Sequence, residues 1–181
     1  MSGKAIFFDR DGVINRDYGY VGSIESFEFL PDVPQTLGQL KDLGYKLVLI
    51  TNQSGIARGK YTEADFYAVT DFMQQELSKF NASFDAIYFC PHHPEAQILQ
   101  YRQICSCRKP NSGLFFKALN ELKLKAENCI ALGDQPRDLL AAYNAGIRHL
   151  YLCQHKKVES LGTISYELLP SLSLLPKMLT H

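Results

Sequence analysis

The stretch FFDRDGVIN, residues 7–15, joins a short apolar run to a polar turn. The run from Ala5 to Phe8 carries no polar side chain, which is typical of a buried strand. Asp9 and Asp11 follow it at once and project on the same side if the strand direction persists. Two carboxylates aimed at one spot repel each other, unless a cation lies between them or one of them holds a proton.

This pair of carboxylates has two interpretations. With Mg²⁺ as the cation, one carboxylate can attack as a nucleophile while the other transfers protons. Alternatively, the stretch is a polar loop with an Asx turn and Gly12 at its corner. The stretch alone does not distinguish a catalytic pair from a simple turn, and the rest of the chain supplies the further evidence.

Strand-like and helix-like segments alternate along the rest of the chain. Further apolar runs of strand length cover residues 46–50, 86–89, 129–132 and 149–153. Helical patterns lie between them, at residues 33–43, 63–80, 113–124 and 137–145. Such alternation predicts an α/β fold with a doubly wound, Rossmann-like parallel sheet that is covered on both faces. We expect a single domain over residues 1–181, because no interdomain linker interrupts the pattern.

Polar residues follow the other strands as well. A sheet of this kind places its site outside the carboxyl ends of its strands. Residues 51–54 (TNQS) follow the second strand and offer donors for a phosphate, although a plain loop would look the same. After the fourth strand, Gly133 precedes Asp134 and Asp138, which are either site residues or caps of a helix.

Composition and charge limit the partners. The 181 residues are 46% hydrophobic and 21% charged, as in an ordinary globular protein. The 19 basic and 19 acidic side chains cancel, which disfavours nucleic acid as a partner. No apolar run reaches the roughly 18 residues of a membrane span, and charge comes too early for a secretory signal. We therefore expect no membrane partner and a cytoplasmic location.

Three of the five cysteines fall in the stretch CPHHPEAQILQYRQICSCRKP, residues 90–110. Cys90, His92, Cys105 and Cys107 make a complete tetrahedral shell for a structural Zn²⁺ within a loop over residues 90–109. His93 is the rival of His92 as the fourth ligand. A disulfide is disfavoured in a reducing compartment, and a redox centre usually has the spacing C-x-x-C.

The order of these motifs resembles the haloacid dehalogenase superfamily of phosphatases, over roughly residues 4–153. DRDGVIN, TNQS, a lysine before a helix and GDxxxD follow one another as in that superfamily. The resemblance implies that Asp9 is the nucleophile and forms an aspartyl-phosphate, and that Asp11 is the general acid and base. It implies that Thr51 and Lys109 hold the phosphoryl group, and that Asp9, the Asp11 main-chain carbonyl and Asp134 bind catalytic Mg²⁺.

The cysteine loop, with DYGYVG and TNQSGIARGKYT, closely resembles the D-glycero-D-manno-heptose 1,7-bisphosphate 7-phosphatase family. This resemblance implies hydrolysis of the C7 phosphate on the route to ADP- or GDP-heptose for lipopolysaccharide, with the zinc loop standing in for a cap domain. Arg58 is a further candidate anion ligand or simply a solvated arginine. The positions that match substrate contacts are Asp17, Tyr18, Gly19, Tyr20, Thr51, Asn52, Gln53, Ser54, Arg108, Lys109 and Gln135.

Other functions stay open. Histidinol phosphatases share the zinc loop, but histidinol phosphate carries an amine, whereas Arg108 beside Lys109 suits a second phosphate. A polynucleotide 3′-phosphatase is disfavoured by the zero net charge. An inactive zinc-binding module would not need all the residues of the catalytic set. We expect a monomer that acts on a small sugar bisphosphate.

Overall fold

The computed structural model describes residues 3–154, 156, 158, 161–162 and 164–180. Within them the chain forms one sheet whose strands are β1 (Ala5–Phe8), β2 (Lys46–Asn52), β3 (Ala86–Cys90), β4 (Cys129–Gly133), β5 (His149–Leu152) and β6 (Glu167–Leu168). The strand order is β3-β2-β1-β4-β5-β6, and every pairing is parallel. The predicted doubly wound parallel sheet is therefore confirmed.

Helices connect the strands and close the chain. They are α1 (Val33–Asp42), α2 (Ser54–Ala57), α3 (Glu63–Ser78), α4 (Gly113–Glu121), α5 (Pro136–Asn144) and α6 (Leu175–Met178). At the start of α3, the Thr62 hydroxyl accepts from the backbone N–H of Asp65 at 3.1 Å, and the Asp65 carboxylate accepts from the Thr62 N–H at 2.7 Å. This reciprocal cap explains why the helix begins where the sequence predicts it.

The strands divide their side chains between two cores. Ile6 and Phe8 of β1 belong to one buried cluster, together with apolar residues of α1 and α3. Ala5 and Phe7 belong to the other cluster, with residues of α4 and α5. Because successive strand residues point to opposite faces, both must be apolar when helices cover both faces. Burial of a side chain such as Phe7 stabilises the fold by about 1.5–3 kcal/mol.

The ends of two strands differ from the predicted ones in a way that matters for the site. β2 continues to Asn52, two residues beyond the predicted end, and Thr51 pairs with Phe89 of β3. β4 includes Gly133. Thr51 and Gly133 are therefore strand residues held by the sheet, and only the residues after them can form loops at its edge.

The last segment of the chain packs against the first face. Leu172 and Leu175, in a short 3-10 helix and in α6, are buried in the same cluster as Leu37 of α1. The prediction of one domain over residues 1–181 reaches beyond the described residues and stays a prediction. None of the helices in the described part of the chain is long and apolar enough to span a membrane.

Candidate active site

The first feature of the site is Asp9, directly after β1. Its backbone N–H donates to the carbonyl of Leu132 in β4 at 3.1 Å, so the sheet pairing continues through it and fixes its position. The residue is only 8% exposed. Its carboxylate accepts from the ammonium of Lys109 at 2.8 Å.

Lys109 comes from the loop before α4 and lies almost fully buried between two strand ends. Its ammonium also contacts the Asp138 carboxylate and the Ile50 carbonyl, both at 2.8 Å. Burial disfavours the ammonium, but the charges of Asp138 and Asp9 outweigh this effect and raise the pKa of Lys109. The lysine is thus held as a cation among carboxylates.

The side chain of Asn52 holds the backbone of Lys109. Its amide nitrogen donates to the Lys109 carbonyl at 3.1 Å, and its amide oxygen accepts from the Lys109 N–H at 3.0 Å. This pair of hydrogen bonds joins the end of β2 to a loop 57 residues further along the chain. Asn52 therefore positions Lys109, in addition to lining the pocket described below.

Asp134 and Asp138 bring two more carboxylates to the same edge. One carboxylate oxygen from each of Asp9, Asp134 and Asp138 lies within 4.8 Å of the others. Gly12 makes this approach possible, because a Cβ on it would lie 2.4 Å from a carboxylate oxygen of Asp134. Gly12 also has φ +84°, a backbone conformation that side chains disfavour.

These carboxylates fit a divalent cation. Burial, followed by the charges of Asp138 and Asp11, raises the pKa of Asp9 to about 7 against the opposing charge of Lys109. Burial and the charge of Asp138 likewise raise the pKa of Asp134 to about 6. A hard cation with oxygen ligands, such as Mg²⁺, would relieve this repulsion. The sequence placed Asp9, Asp11 and Asp134 around Mg²⁺, and the structure adds Asp138 to the carboxylates there.

The Asp11 carboxylate is not one of these three and lies among a set of donors. Its carboxylate accepts from the Arg10 guanidinium at 3.0 Å, from the Asn15 amide at 2.9 Å and from the Gln53 amide at 3.1 Å. Arg10 is 1% exposed and also donates to the Val21 carbonyl at 2.7 Å. Donors from three separate positions therefore fix the direction of the Asp11 carboxylate.

Gln53 lies beneath the site rather than in it. Its amide nitrogen donates to both Asp11 and the Thr51 hydroxyl, the latter at 2.8 Å, and its amide oxygen accepts from the Tyr61 hydroxyl. The ring of Tyr61 fits between two glycines, since a Cβ on Gly22 or Gly55 would come within 2.3 Å of ring atoms. The amide of Gln53 is therefore oriented from both sides.

A pocket of about 440 Å³ opens over these groups. Most of the predicted catalytic and substrate-binding residues line it, namely Asp9, Asp11, Asp17, Gly19, Tyr20, Asn52, Ser54, Arg58, Arg108, Lys109, Asp134 and Gln135. The exceptions are Tyr18, Thr51 and Gln53. Thr51 and Gln53 are buried below the pocket, and Tyr18 is 62% exposed with its hydroxyl bonded to Glu28. The roles predicted for all these residues stay predictions.

One wall of the pocket is basic. Arg58, His93, Arg108 and Arg137 line it from three different parts of the chain. Burial lowers the pKa of Arg108, and the charges of Arg137 and Arg58 lower it further, against the opposing effect of Cys90. A wall of this charge suits an anionic part of a ligand.

The four residues predicted to bind zinc do come together. The Cys90–Cys107, Cys105–Cys107 and Cys90–Cys105 sulfur distances are 3.0, 3.1 and 3.5 Å, and His92 Nδ1 lies 3.3 Å from the Cys107 sulfur. All five cysteines are free thiols. With Zn–S bonds of about 2.3 Å, the sulfur atoms of a tetrahedral zinc site lie about 3.8 Å apart. The cysteine sulfurs would therefore move apart slightly to bind Zn²⁺. His93 faces the pocket instead.

The matches to known proteins agree with this geometry. The family model described as "Hydrolase: haloacid dehalogenase-like hydrolase" matches residues 9–146. The chain belongs to the haloacid dehalogenase-like hydrolase family, as its motifs predicted.

Individual proteins of this family are similar to the chain over most of its length. The chain is 43% identical over 179 residues to the D-glycero-beta-D-manno-heptose-1,7-bisphosphate 7-phosphatase of Haemophilus influenzae, covering 97% of this chain and 96% of that protein. It is 46% identical over 143 residues to the protein of the same name from Salmonella typhi, covering 79% and 76%. The crystal structure of the D,D-heptose 1,7-bisphosphate phosphatase from B. bronchiseptica complexed with magnesium and phosphate superposes with a TM-score of 0.85, at 32% identity and 98% coverage of both chains.

Several residues of the site were not found from the sequence. The sequence indicates Arg10 only as part of a motif, and it does not indicate that Tyr61, His93 and Arg137 line the pocket. The glycines that flank the Tyr61 ring were a signal for close packing, but they identify no partner. Nothing in the local sequence indicates that Arg137 faces the same pocket as Arg58.

Proposed function

We propose that this chain is a Mg²⁺-dependent phosphatase that removes the C7 phosphate of D-glycero-D-manno-heptose 1,7-bisphosphate. The observation that carries the proposal is the buried contact of 2.8 Å between Asp9 and Lys109 at the floor of a pocket with a basic wall. The floor suits one phosphoryl group and the wall suits a second anion. The names of the relatives support the choice of sugar.

In the first step, the Asp9 carboxylate attacks phosphorus, and the bond from phosphorus to the sugar oxygen O7 breaks. Asp11 gives a proton to O7, so that the sugar leaves as an alcohol. Arg10, Asn15 and Gln53 hold Asp11 in place for this transfer. Lys109 neutralises charge on the transferred group.

In the second step, a water molecule attacks phosphorus, and Asp11 takes a proton from that water. The bond between Asp9 and phosphorus breaks, which restores the carboxylate and releases inorganic phosphate. Asp9, Asp134 and the Asp11 carbonyl would hold Mg²⁺, which would supply charge neutralisation for the phosphoryl oxygens. Asp138 holds Lys109 through its 2.8 Å ion pair and caps α5 by accepting from the Gln135 N–H at 3.0 Å.

The Cys90, His92, Cys105 and Cys107 cluster takes a structural Zn²⁺. The donor set fills all four positions of a tetrahedral ion, so no position remains for a substrate. The loop it ties down carries only one short helical segment, Leu99–Tyr101, and it supplies Arg108 and Lys109 to the pocket. Zinc thus orders the loop that completes the site. The cytoplasmic location and the monomeric state stay predictions from the sequence.

The test is phosphate release with Mg²⁺ from each anomer of heptose 1,7-bisphosphate and from histidinol phosphate, compared as kcat/KM. We expect the highest value for one of the bisphosphate anomers, and position-specific analysis of the product should show loss of the C7 phosphate. The matched control is Asp9→Asn, which keeps the size of the side chain but removes the nucleophile.

Comparable or faster turnover of histidinol phosphate would contradict the proposed substrate and leave the mechanism standing. Unchanged turnover in the Asp9→Asn variant would contradict the mechanism itself.

A further inference from the structure

The basic wall contains a pair of donors that face each other. The terminal NH2 of Arg58 lies 3.1 Å from Nε2 of His93, while Nδ1 of His93 accepts from the Glu95 backbone N–H at 3.1 Å. A neutral imidazole has one donor and one acceptor nitrogen. With Nδ1 as the acceptor, Nε2 carries the proton, and both Nε2 and the guanidinium are donors. A single acceptor in the pocket beside the two groups would satisfy both.

Arg58 has a further unsatisfied donor. Its Nε is buried and has no hydrogen-bond partner among the described residues. A buried N–H without a partner is unfavourable, because it has given up its hydrogen bond to water and gained none in return. The side chain is therefore held in the wall with hydrogen bonds left to make, all of them as a donor.

Arg137 adds a cation from the start of α5. It is exposed, lines the pocket and makes no hydrogen bond or ion pair with another described residue. Its neighbour Gln135 carries no charge, and its amide donates to Asp134 at 3.1 Å while its backbone N–H donates to Asp138. At this edge of the pocket the available charge is that of Arg137.

We propose that Arg58, His93 and Arg137 act with Arg108 to bind the second phosphate of the substrate, and so determine the preference for a bisphosphate over a monophosphate. Phosphate oxygens accept from guanidinium and imidazole donors at once, which resolves the facing donors of Arg58 and His93. This inference rests on the proposed function and assigns to His93 and Arg137 a specificity role.

The experiment compares kcat/KM for heptose 1,7-bisphosphate with kcat/KM for heptose 7-phosphate, which lacks only the second phosphate. In Arg137→Gln and His93→Leu, we expect the ratio of the two values to fall about 10- to 100-fold, since each variant removes a hydrogen bond to a charged group. His93→Gln, whose amide can donate near the position of Nε2, should recover much of the ratio. Arg137→Lys should recover part of it through its charge.

The matched control is Arg148→Gln, which removes one positive charge beyond the other end of α5, where the guanidinium lies against the Tyr143 ring. It should leave the ratio unchanged. A wild-type enzyme that prefers the bisphosphate while Arg137→Gln and His93→Leu retain its ratio would overturn this inference alone. Equal losses on both substrates would also overturn it, because they indicate a structural role. A wild-type enzyme without preference for the bisphosphate would refute the proposed function, and the inference with it.

Discussion

Gln53 offers a sharp test of the geometry, because its predicted and observed positions imply different effects of the same substitution. If Gln53 contacts the substrate, as the sequence predicted, its loss would raise KM. In the structure, Gln53 is 1% exposed and bonded to three side chains, one of them Asp11. If its role is to support Asp11, its loss would lower stability and kcat. We expect Gln53→Ala to show the second behaviour.

The magnitude follows from the three hydrogen bonds. Each contributes about 1 kcal/mol net, and the Tyr61 hydroxyl, left without its acceptor, adds a desolvation cost of about 1–3 kcal/mol. The free energy of unfolding should therefore fall by about 4–6 kcal/mol in total. Arg10 and Asn15 still hold Asp11, so we expect kcat to fall only about tenfold, with KM within about twofold of the wild-type value.

The assay is urea unfolding at saturating Mg²⁺ and Zn²⁺, together with steady-state kinetics. Tyr61→Phe keeps the ring and removes the hydroxyl, so a double-mutant cycle isolates the hydrogen bond between Tyr61 and Gln53. We expect a coupling energy of about 1–2 kcal/mol, because in the Gln53→Ala variant the Tyr61 hydroxyl already lacks its acceptor, so its removal costs no further hydrogen bond. Gln75→Ala, an exposed glutamine on α3, is the control and should change stability by less than about 0.5 kcal/mol.

A raised KM with unchanged kcat, combined with a stability change below about 1 kcal/mol, would refute this reasoning. Gln53 would then be a substrate contact after all.

Three further predictions concern the lysine, the zinc cluster and the glycine at the acidic edge. Lys109→Met should lower kcat about 10³-fold. The free energy of unfolding, measured without Mg²⁺, should fall by about 3–5 kcal/mol, because two buried carboxylates lose their cation. Lys125→Met is the exposed control and should change neither kcat nor stability. Cys107→Ser should lose bound zinc by elemental analysis and melt at a lower temperature, whereas Cys153→Ala, outside the cluster, should retain it. Gly12→Ala should weaken Mg²⁺ activation and lower stability by about 1–3 kcal/mol, because its Cβ meets the Asp134 carboxylate; normal activation would contradict the close approach.

The sequence was sufficient for the sheet and for the carboxylates at its edge. Apolar runs that alternate with helices predict a parallel sheet covered on both faces, with polar residues gathered at the carboxyl ends of its strands. The strand order itself comes from the structure, and it brings the end of β1 beside the end of β4, hence Asp9 beside Asp134. The sequence was not sufficient for the end of β2, because that end depends on pairing with β3 and not on local residue preference. Contacts such as Arg58 with His93 join segments 35 residues apart, and no local pattern encodes them.

The buried charges of the site explain why Arg10 belongs to it. Three carboxylates, those of Asp9, Asp134 and Asp138, meet at one edge with the buried Lys109 beside them, while the Asp11 carboxylate pairs with the buried Arg10. The three carboxylates and Lys109 have a formal charge of −2, which one divalent cation would neutralise, and the pair of Asp11 with Arg10 adds no net charge. Without that ion, Asp9 and Asp134 take up protons more readily, as their raised pKa values show.

Arg10 therefore does more than orient Asp11. If it were neutral, the Asp11 carboxylate would lose its paired cation, and its negative charge would add to that of the three carboxylates beside it. The guanidinium can stay buried because the Val21 carbonyl and the Asp11 carboxylate accept its hydrogen bonds and the Phe66 ring lies 5.8 Å away. The Val21 contact also ties the adjoining loop, which carries Asp17 and Tyr20, to Arg10 and through it to Asp11.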